Sequence, residues 1–340
     1  MGNTPERTDL PILALFNLDP AWEPEATEQV VAQTDHLVTE LRALGHAVSE
    51  LPISDANLPS RLQAFDPTST VVFNWCEELP GIPHSDSVVA QVLEQMGFAY
   101  TGADPAVLSL AWHKPLVKAL LEAHDIPTPR WMICSTPDIE GWDAYPAIVK
   151  PAFEHCSCGV TIDAVVMNDR QLRERVAVLL ETVGGPALVE DFVDGREFHV
   201  SLWGNGETAL LPVAEMDFSA FDELRDRLCT YDSKFTPGST HYDGIQLKLP
   251  APLSEAQLRE LTRVSRAAYA AIGCRDYGRM DIRLRDETFY VLDVNPNADL
   301  SADSSMACAA ELEGYTHGHM ISRLVNLAAT RHPVFASDPG

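Results

Sequence analysis

The stretch that decides the reading runs Tyr277-Gly278-Arg279-Met280-Asp281-Ile282-Arg283-Leu284 and, after a short polar turn, Tyr290-Val291-Leu292-Asp293-Val294-Asn295-Pro296-Asn297. Both halves alternate polar with apolar residues. That is the period of a β-strand, in which successive side chains point to opposite faces. Asp293 and Asn295 therefore share one face while Leu292 and Val294 take the other, and Arg279 shares a face with Asp281. Folded as a hairpin, the two runs bring carboxylates, an amide oxygen and a guanidinium together. Neighbouring acids are costly to bury without a cation. An all-oxygen donor set at short range suits Mg²⁺, which usually also takes phosphate oxygens. The expectation is a magnesium–nucleotide site. The same alternation describes any half-solvated strand, and the register stays open. A loop of three residues, Asp286 to Thr288, sets Asp281 opposite Asp293 and Arg279 opposite Asn295, whereas a loop of four turns one set away.

The hairpin belongs to a chain of 340 residues, more than one core usually serves, so two or three domains are expected. Apolar content is ordinary for a globular protein and no window is long and apolar enough to span a membrane. The N-terminus lacks a basic segment, and Pro11 to Phe16 is too short for the apolar core of a signal peptide, so a cytoplasmic protein is expected. A net charge of −26 argues against nucleic acid as a partner and fits simple solubility. Seven scattered cysteines suit a reducing compartment, and Cys156 with Cys158 lacks the second pair that a zinc site needs.

Upstream, Pro11 to Phe16 reads as a buried strand and Ala26 to Leu44 as a helix, with Val30, Val31, Leu37, Val38, Leu41 and Leu44 at helical spacing. Strands from His46 and Val71 and a helix from Val88 to Met96 continue the alternation that indicates a parallel sheet. Next come two short helices around Ala111 to Ala123, strands at Ala147 to Lys150 and Val160 to Ala164, a helix from Gln171 to Leu180 and a strand from Ala187. Glu197 to Leu202 and Ala209 to Val213 suggest an antiparallel sheet. Ser254 is placed to cap a helix to Ile272, and two helices near Ser304 to Leu312 and Thr316 to Leu327 finish the chain. The last four residues read as a loose tail.

Four further segments carry possible chemistry. Lys150 ends an apolar strand and leads into Glu154-His155-Cys156-Ser157-Cys158-Gly159, a small-residue loop of the kind whose N–H groups can meet phosphate. Lys114 is a second candidate for a phosphate, on which an ammonium acts as a point charge. Glu190-Asp191-Phe192-Val193 leaves a strand where backbone groups can meet a purine edge, and Glu197 follows seven residues on, within reach of ribose hydroxyls. Tyr231 to Gly238 is polar and turn-rich, and reads as a mobile loop. Each of these alone is also an ordinary surface feature. No HExxH spacing, no GxSxG elbow, no Walker loop and no strand-linked GxGxxG occurs.

Taken in order, Lys114, Lys150 with its loop, Glu190 to Glu197, Tyr231-Asp232-Ser233-Lys234, Arg279-Met280-Asp281 and Asp293-Val294-Asn295 resemble the ATP-grasp superfamily, in its D-alanine–D-alanine ligase-like branch. The resemblance runs from about Val71 to Leu327 and includes Phe73-Asn74-Trp75-Cys76-Glu77 and Gly97 to Gly102. It implies a mixed α/β ATP-grasp fold in three parts: a Rossmann-like parallel-sheet domain over residues 1–105, a central subdomain over 106–188 and a C-terminal subdomain over 189–335, with ATP between the last two. By similarity Lys114, Lys150 and Lys234 hold phosphates, and Glu190, Asp191 and Val193 lie about adenine with Glu197 on ribose. Asp281, Asp293 and Asn295 hold two Mg²⁺ ions, for which Mn²⁺ can substitute. Arg279 stabilises a tetrahedral intermediate, Ser157 covers the γ-phosphate, and Glu77, Cys156, Asn297 and Ser304 face the substrates.

The implied reaction is activation of a carboxylate by ATP to an acyl phosphate, attack by an amine and loss of phosphate, a matter of positioning and charge neutralisation that needs no nucleophilic side chain. The resemblance also implies a homodimer acting on amino acids. The departures bear on the substrate. The Ser-x-Glu segment that follows the family's first strand has no match at Phe16-Asn17-Leu18-Asp19, although Glu77 offers a carboxylate. His155-Cys156 replaces a small Gly-Ser pair, Phe235 the lid tyrosine and Asp293 a glutamate. A ligase joining other amino acids, or an amino acid to a small carboxylate, is the leading expectation. Three alternatives stay beside it: a true D-alanine–D-alanine ligase, a ligase with a thiol or hydroxyl acceptor, and a nucleotide sensor with a degenerate site.

Overall fold

The computed structural model describes residues 6–154, 160–230, 232–236 and 238–337. Its strands form three sheets. The first is parallel throughout, ordered β2-β1-β3-β4, and comprises β1 (Pro11–Asn17), β2 (Ala47–Ile53), β3 (Val71–Trp75) and β4 (Ala99–Tyr100). β1 is apolar without alternation, and six of its seven residues are buried, because this central strand is covered on both faces. Parallel pairing needs crossovers, supplied here by α1 (Pro24–Leu44), α2 (Leu58–Leu62) and α3 (Asp86–Gln95). Gly45 closes α1 at φ 116°, its N–H on the carbonyls of Arg42 and Leu41, a left-handed ending that glycine adopts without penalty.

Two helices, α4 (Pro105–Ala111) and α5 (Lys114–Ala123), lead into an antiparallel sheet ordered β5-β8-β6-β7. Its strands are β5 (Trp131–Cys134), β6 (Ala147–Pro151), β7 (Val165–Val166) and β8 (Ala187–Asp191). Helix α6 (Asp169–Thr182) seals one face, with Leu172 and Val176 in a core with Ala147 and Val189. The strand expected over Val160 to Ala164 is displaced. Ile162–Ala164 is a 3₁₀ turn and only Val165–Val166 pairs with β6. Asp163, a poor strand former, sits in that turn.

The third sheet has six antiparallel strands: β9 (Arg196–Trp203), β10 (Ala209–Leu210), β11 (Ala214–Asp217), β12 (Gln246–Lys248), β13 (Tyr277–Arg285) and β14 (Thr288–Asn295), ordered β12-β11-β9-β13-β14 with β10 also on β9. The single strand expected from Ala209 to Val213 is broken. Ala209 and Leu210 pair with Trp203 and Leu202, and pairing resumes at Ala214 opposite His199 with the register moved by one. Pro212, which has no N–H for a ladder, lies in the break. The polar segment expected as a loop, Tyr231 to Gly238, holds a short helix, α7 (Asp232–Phe235), and a second, α8 (Thr240–Gly244), follows it. Then follow α9 (Glu255–Ile272), α10 (Ser305–Leu312) and α11 (His317–Ala329). Ser254 caps α9 as expected, in a reciprocal capping box with Gln257.

One continuous core joins the first and third sheets: Leu13, Leu15 and Val72 cluster with Val200, Met280, Val264 and Tyr269. On the other face of the parallel sheet α11 packs beside α1, and Leu10, Ile12 and Phe73 meet Ile321, Leu324 and Val325. The C-terminal helices thus close back onto the N-terminal strands. Among the described residues no helix is long and apolar enough to cross a membrane.

Candidate active site

The hairpin forms in the register that brings the polar residues together, by a different turn from the three-residue one considered. Asp281 pairs with Asp293 and Arg279 with Asn295. The loop is two residues, Asp286 and Glu287, both left-handed at φ 49° and 60°, the geometry that matches the twist of a tight hairpin. Two residues alone would set the pairing one step out. A bulge between Asp281 and Ile282, at which Leu292 is passed over, restores it. The Leu292 carbonyl at this bulge accepts from Lys118 Nζ at 3.0 Å.

On its other edge β13 pairs with β9, which places Asp281 opposite His199 and Arg283 opposite Glu197. The floor of the site is therefore three adjacent strands. Arg279 forks onto Asp281, Nε to Oδ1 at 2.7 Å and Nη2 to Oδ2 at 3.0 Å. Burial alone would lower the guanidinium's pKa, but Asp281 raises it, with Asp299 and Asp293, and the group stays charged. Asn295 Nδ2 donates to Asp281 Oδ2 at 3.3 Å. Lys114, the first residue of α5, reaches across to Asp293 with Nζ 2.8 Å from Oδ2.

Beside this lies a second charged set. Glu190 on β8 is ion-paired with both Lys118 and Lys150, one through each oxygen. Side-chain exposure is 2% for Lys118 and Glu190 but 13% for Lys150, and that difference decides which lysine yields. Burial pushes Lys118 down to about 8 in spite of Glu190. For Lys150 burial acts the same way, but Glu190 and Asp293 outweigh it and hold its pKa above the ordinary range. Burial raises the Glu190 carboxyl, and the two lysines more than offset that, so it stays ionised. Lys150 is thus the more firmly charged of the two and the nearer to open space.

Arg283 organises the far end. It is fully buried, with Nε on Glu197 Oε2 at 2.7 Å and Nη1 on the Val193 carbonyl at 2.9 Å. Its guanidinium lies 4.8 Å from the ring centre of Phe192 and 5.3 Å from that of Phe218, within cation–π range of both. Burial pushes the Glu197 carboxyl up, but Arg283 and His199 bring it well below the usual range. Asp191 pairs with Arg285.

On the substrate side, Asn17 at the end of β1 accepts from the Glu77 N–H at 2.7 Å and donates to the Glu78 carbonyl, fixing the segment that carries Glu77. Solvent reaches Glu77, yet protein packs around enough of it that desolvation, then Asp299, Glu78 and Asp86, raise its carboxyl pKa. Ser304 and Asn297 are engaged with backbone. Ser304 caps α10 by accepting from Ala307 N–H at 3.2 Å, and Asn297 accepts from Ala103 N–H at 2.9 Å. Cys156 and Ser157 lie outside the described residues, as does the side chain of Lys234 on α7.

Of the residues singled out from sequence, the fold brings Lys114, Lys150, Glu190, Arg279, Asp281, Asp293 and Asn295 into one connected set of charges, with Glu197, Val193 and Asp191 at its rim. Three participants were not anticipated: Lys118, His199 and Arg283. Each had a periodic signal. Lys118 follows Lys114 by one helical turn, and His199 and Arg283 stand two residues after Glu197 and Asp281 on strands, hence on the same faces.

A mixed α/β fold with this charge set between two antiparallel sheets defines a class, the ADP-forming ligases of the ATP-grasp fold. A family model described as D-ala D-ala ligase C-terminus matches residues 120–326, and the chain belongs to that family. It is 30% identical over 314 residues to a D-alanine–D-alanine ligase of Marinomonas sp. (strain MWYL1), covering 89% of this chain and 92% of that one. It is 32% identical over 312 residues to the uncharacterized protein y4sG of Sinorhizobium fredii, covering 88% of each. The solved D-alanine–D-alanine ligase of Bacillus anthracis complexed with ATP has the same fold, with a TM-score of 0.71 and 17% identity over 94% of this chain and 97% of that one.

Proposed function

We propose that the protein joins two amino acids, or an amino acid to a small carboxylate, through an acyl phosphate made at the expense of ATP. The carrying observation is the convergence of Lys114, Lys150 and Arg279 with Asp281, Asp293 and Asn295 in one connected set of charges. Lys150 and Lys114 offer cations to phosphate oxygens. Glu190 and Val193 offer polar groups for the base and Glu197 for ribose. Arg279 offers a fixed guanidinium to the oxyanion formed when the amine attacks. The γ-phosphoryl group passes to a carboxylate oxygen and ADP leaves. The amine then displaces phosphate, losing a proton as the amide forms. Ser157 and Lys234 close over the phosphates in this reading.

The donors suit magnesium. Asp281 and Asp293 are met in this structure by Arg279 and Lys114, cations standing where further positive charge is needed, and Asn295 adds an amide oxygen to an otherwise carboxylate set. When bound, Mg²⁺ neutralises the phosphates and the developing charge.

For the first substrate, the Ser-x-Glu segment has no match after β1, and Asn17 instead fixes Glu77. Glu77 is thus the group that takes the first amino acid's ammonium. Three domains, each with one sheet, go with this reading, as does a homodimer; the first boundary stays near residue 105, and the second moves from 188 to beyond Asp191, because β8 belongs to the second sheet.

The test is a screen of amino-acid pairs with ATP and Mg²⁺, scored by phosphate release and product mass. ATP binding with no turnover for any pair overturns the reading. Product from D-alanine alone identifies a D-alanine–D-alanine ligase.

A further inference from the structure

Glu197 and His199 are two residues apart on β9, so their side chains lie on one face of the third sheet. Asp281 is directly opposite His199 on β13. Cys229, shortly after the 3₁₀ turn Leu224–Asp226, comes over the same face. One ligand atom from each of Glu197, His199 and Cys229 lies within 4.8 Å of the other two. His199 Nε2 is 3.8 Å from Glu197 Oε1 and 3.9 Å from Asp281 Oδ1. These separations are too long for hydrogen bonds. They are close to the edges of a metal tetrahedron, roughly 3.3–3.8 Å for bonds of about 2.0–2.3 Å to nitrogen, oxygen and sulfur. Arg283 holds Glu197 by Oε2, which leaves Oε1 turned toward His199.

We propose that Glu197, His199 and Cys229 form a site for a borderline-soft divalent ion of the zinc class, onto which Asp281, 3.9 Å from His199, moves as fourth donor. An imidazole nitrogen and a thiolate select such an ion over Mg²⁺, which takes oxygen and keeps its water. The site is distinct from the oxygen set of Asp281, Asp293 and Asn295, but the two share Asp281, whose Oδ1 also accepts from Arg279. An ion here draws Asp281 away from that pair and covers the Glu197 carboxylate. It therefore excludes nucleotide and shuts the ligase. This last step rests on the nucleotide reading above; the metal site does not.

The probe is Co²⁺, which reports a thiolate ligand by charge-transfer absorption. It is titrated into the full-length reduced chain without nucleotide. The expected result is one equivalent with a thiolate band, lost in Cys229→Ser, and an affinity weakened in His199→Gln by at least the ~10–100-fold that loss of an outer-shell partner costs. Six other cysteines remain in Cys229→Ser as internal controls. A band unchanged in Cys229→Ser, or affinity unchanged in His199→Gln, overturns the site. Far-ultraviolet circular dichroism checks that each variant is folded. ATP with Mg²⁺ should release the cobalt, and saturable binding of both together overturns the exclusion. If calorimetry finds no ATP binding at all, the nucleotide reading fails while the cobalt band still decides the site.

Discussion

Lys114 and Asp293 are 179 residues apart in sequence and 2.8 Å apart in space. The pair ties the start of α5 to β14 and, on the proposed reading, gives the nucleotide site two states. Without phosphate, the ammonium neutralises a carboxylate that is a metal-ligand candidate. A phosphate drawing Lys114 toward itself releases Asp293 for a cation. Lys114→Ala should therefore raise KM for ATP and lower kcat/KM by about 10²–10³-fold, the scale of losing one preorganised charged donor. Steady-state phosphate release against ATP concentration measures it. An unchanged KM removes Lys114 from the phosphate site.

Arg279 is fixed by two hydrogen bonds to Asp281, beyond any contact that Lys114 or Lys150 makes with it. Its proposed role is in the step after nucleotide binding, so Arg279→Ala should lower kcat by about 10²–10³-fold while the Kd for ATP moves little. Calorimetric ATP titration beside single-turnover phosphate release separates the two. Equal losses in binding and turnover would place Arg279 on the nucleotide instead.

The Glu190 set predicts a pH signature. Its carboxyl is depressed in the folded protein, so it contributes stability that is present above the ordinary carboxylate pKa of 4.5 and lost as pH falls through the lower folded value. Lys118, depressed to about 8, acts in the same sense at high pH. Between about 8 and 10.5 the unfolded chain binds more protons, and stability rises with pH. Lys150, raised, keeps its contribution up to 10.5 and loses it above, reversing the trend there, so the acid limb is the clean one. Glu190→Gln leaves two buried lysines without the anion paired to both and should cost about 3–5 kcal/mol near neutrality. Urea unfolding at a series of pH values should show the gap between wild type and variant closing below 4.5. A gap constant across that range contradicts the assignment.

The sequence carried the fold where a pattern was local and the site where it was periodic. β1 was readable as an apolar run and α9 from its cap and spacing, and alternation gave the shared faces of Arg279 with Asp281 and of Asp293 with Asn295 while leaving their register open. The turn between those strands was not readable, because two compensating irregularities, a two-residue loop and a bulge at Leu292, yield the pairing that one three-residue loop would. Lys118 was hidden for another reason. A lysine on a helix is ordinarily solvated, and only the fold shows that Glu190, on strand β8, waits beneath it. Arg283 read as one more polar position on an alternating strand. Its burial depends on Phe192 and Phe218, residues 91 and 65 positions earlier in the sequence, closing on either side.

That enclosure makes Arg283 the most demanding test of the rim. Removing its charge leaves Glu197 ionised and buried without its main partner, at a cost of about 3–5 kcal/mol. The Glu197 carboxyl, now held low by Arg283 ahead of His199, should rise. Arg283→Met is therefore expected to destabilise strongly and to weaken ATP binding. Adding Glu197→Gln removes the stranded charge, so the double variant should be more stable than Arg283→Met alone, with a coupling energy in the range of about 0.5–3 kcal/mol. ATP affinity should not recover with stability, because the carboxylate proposed for ribose is gone. Denaturant unfolding of all four proteins, with ATP titration of each that folds, reads both quantities. Additive losses in stability would mean that Arg283 acts through its packing between the rings and not through Glu197.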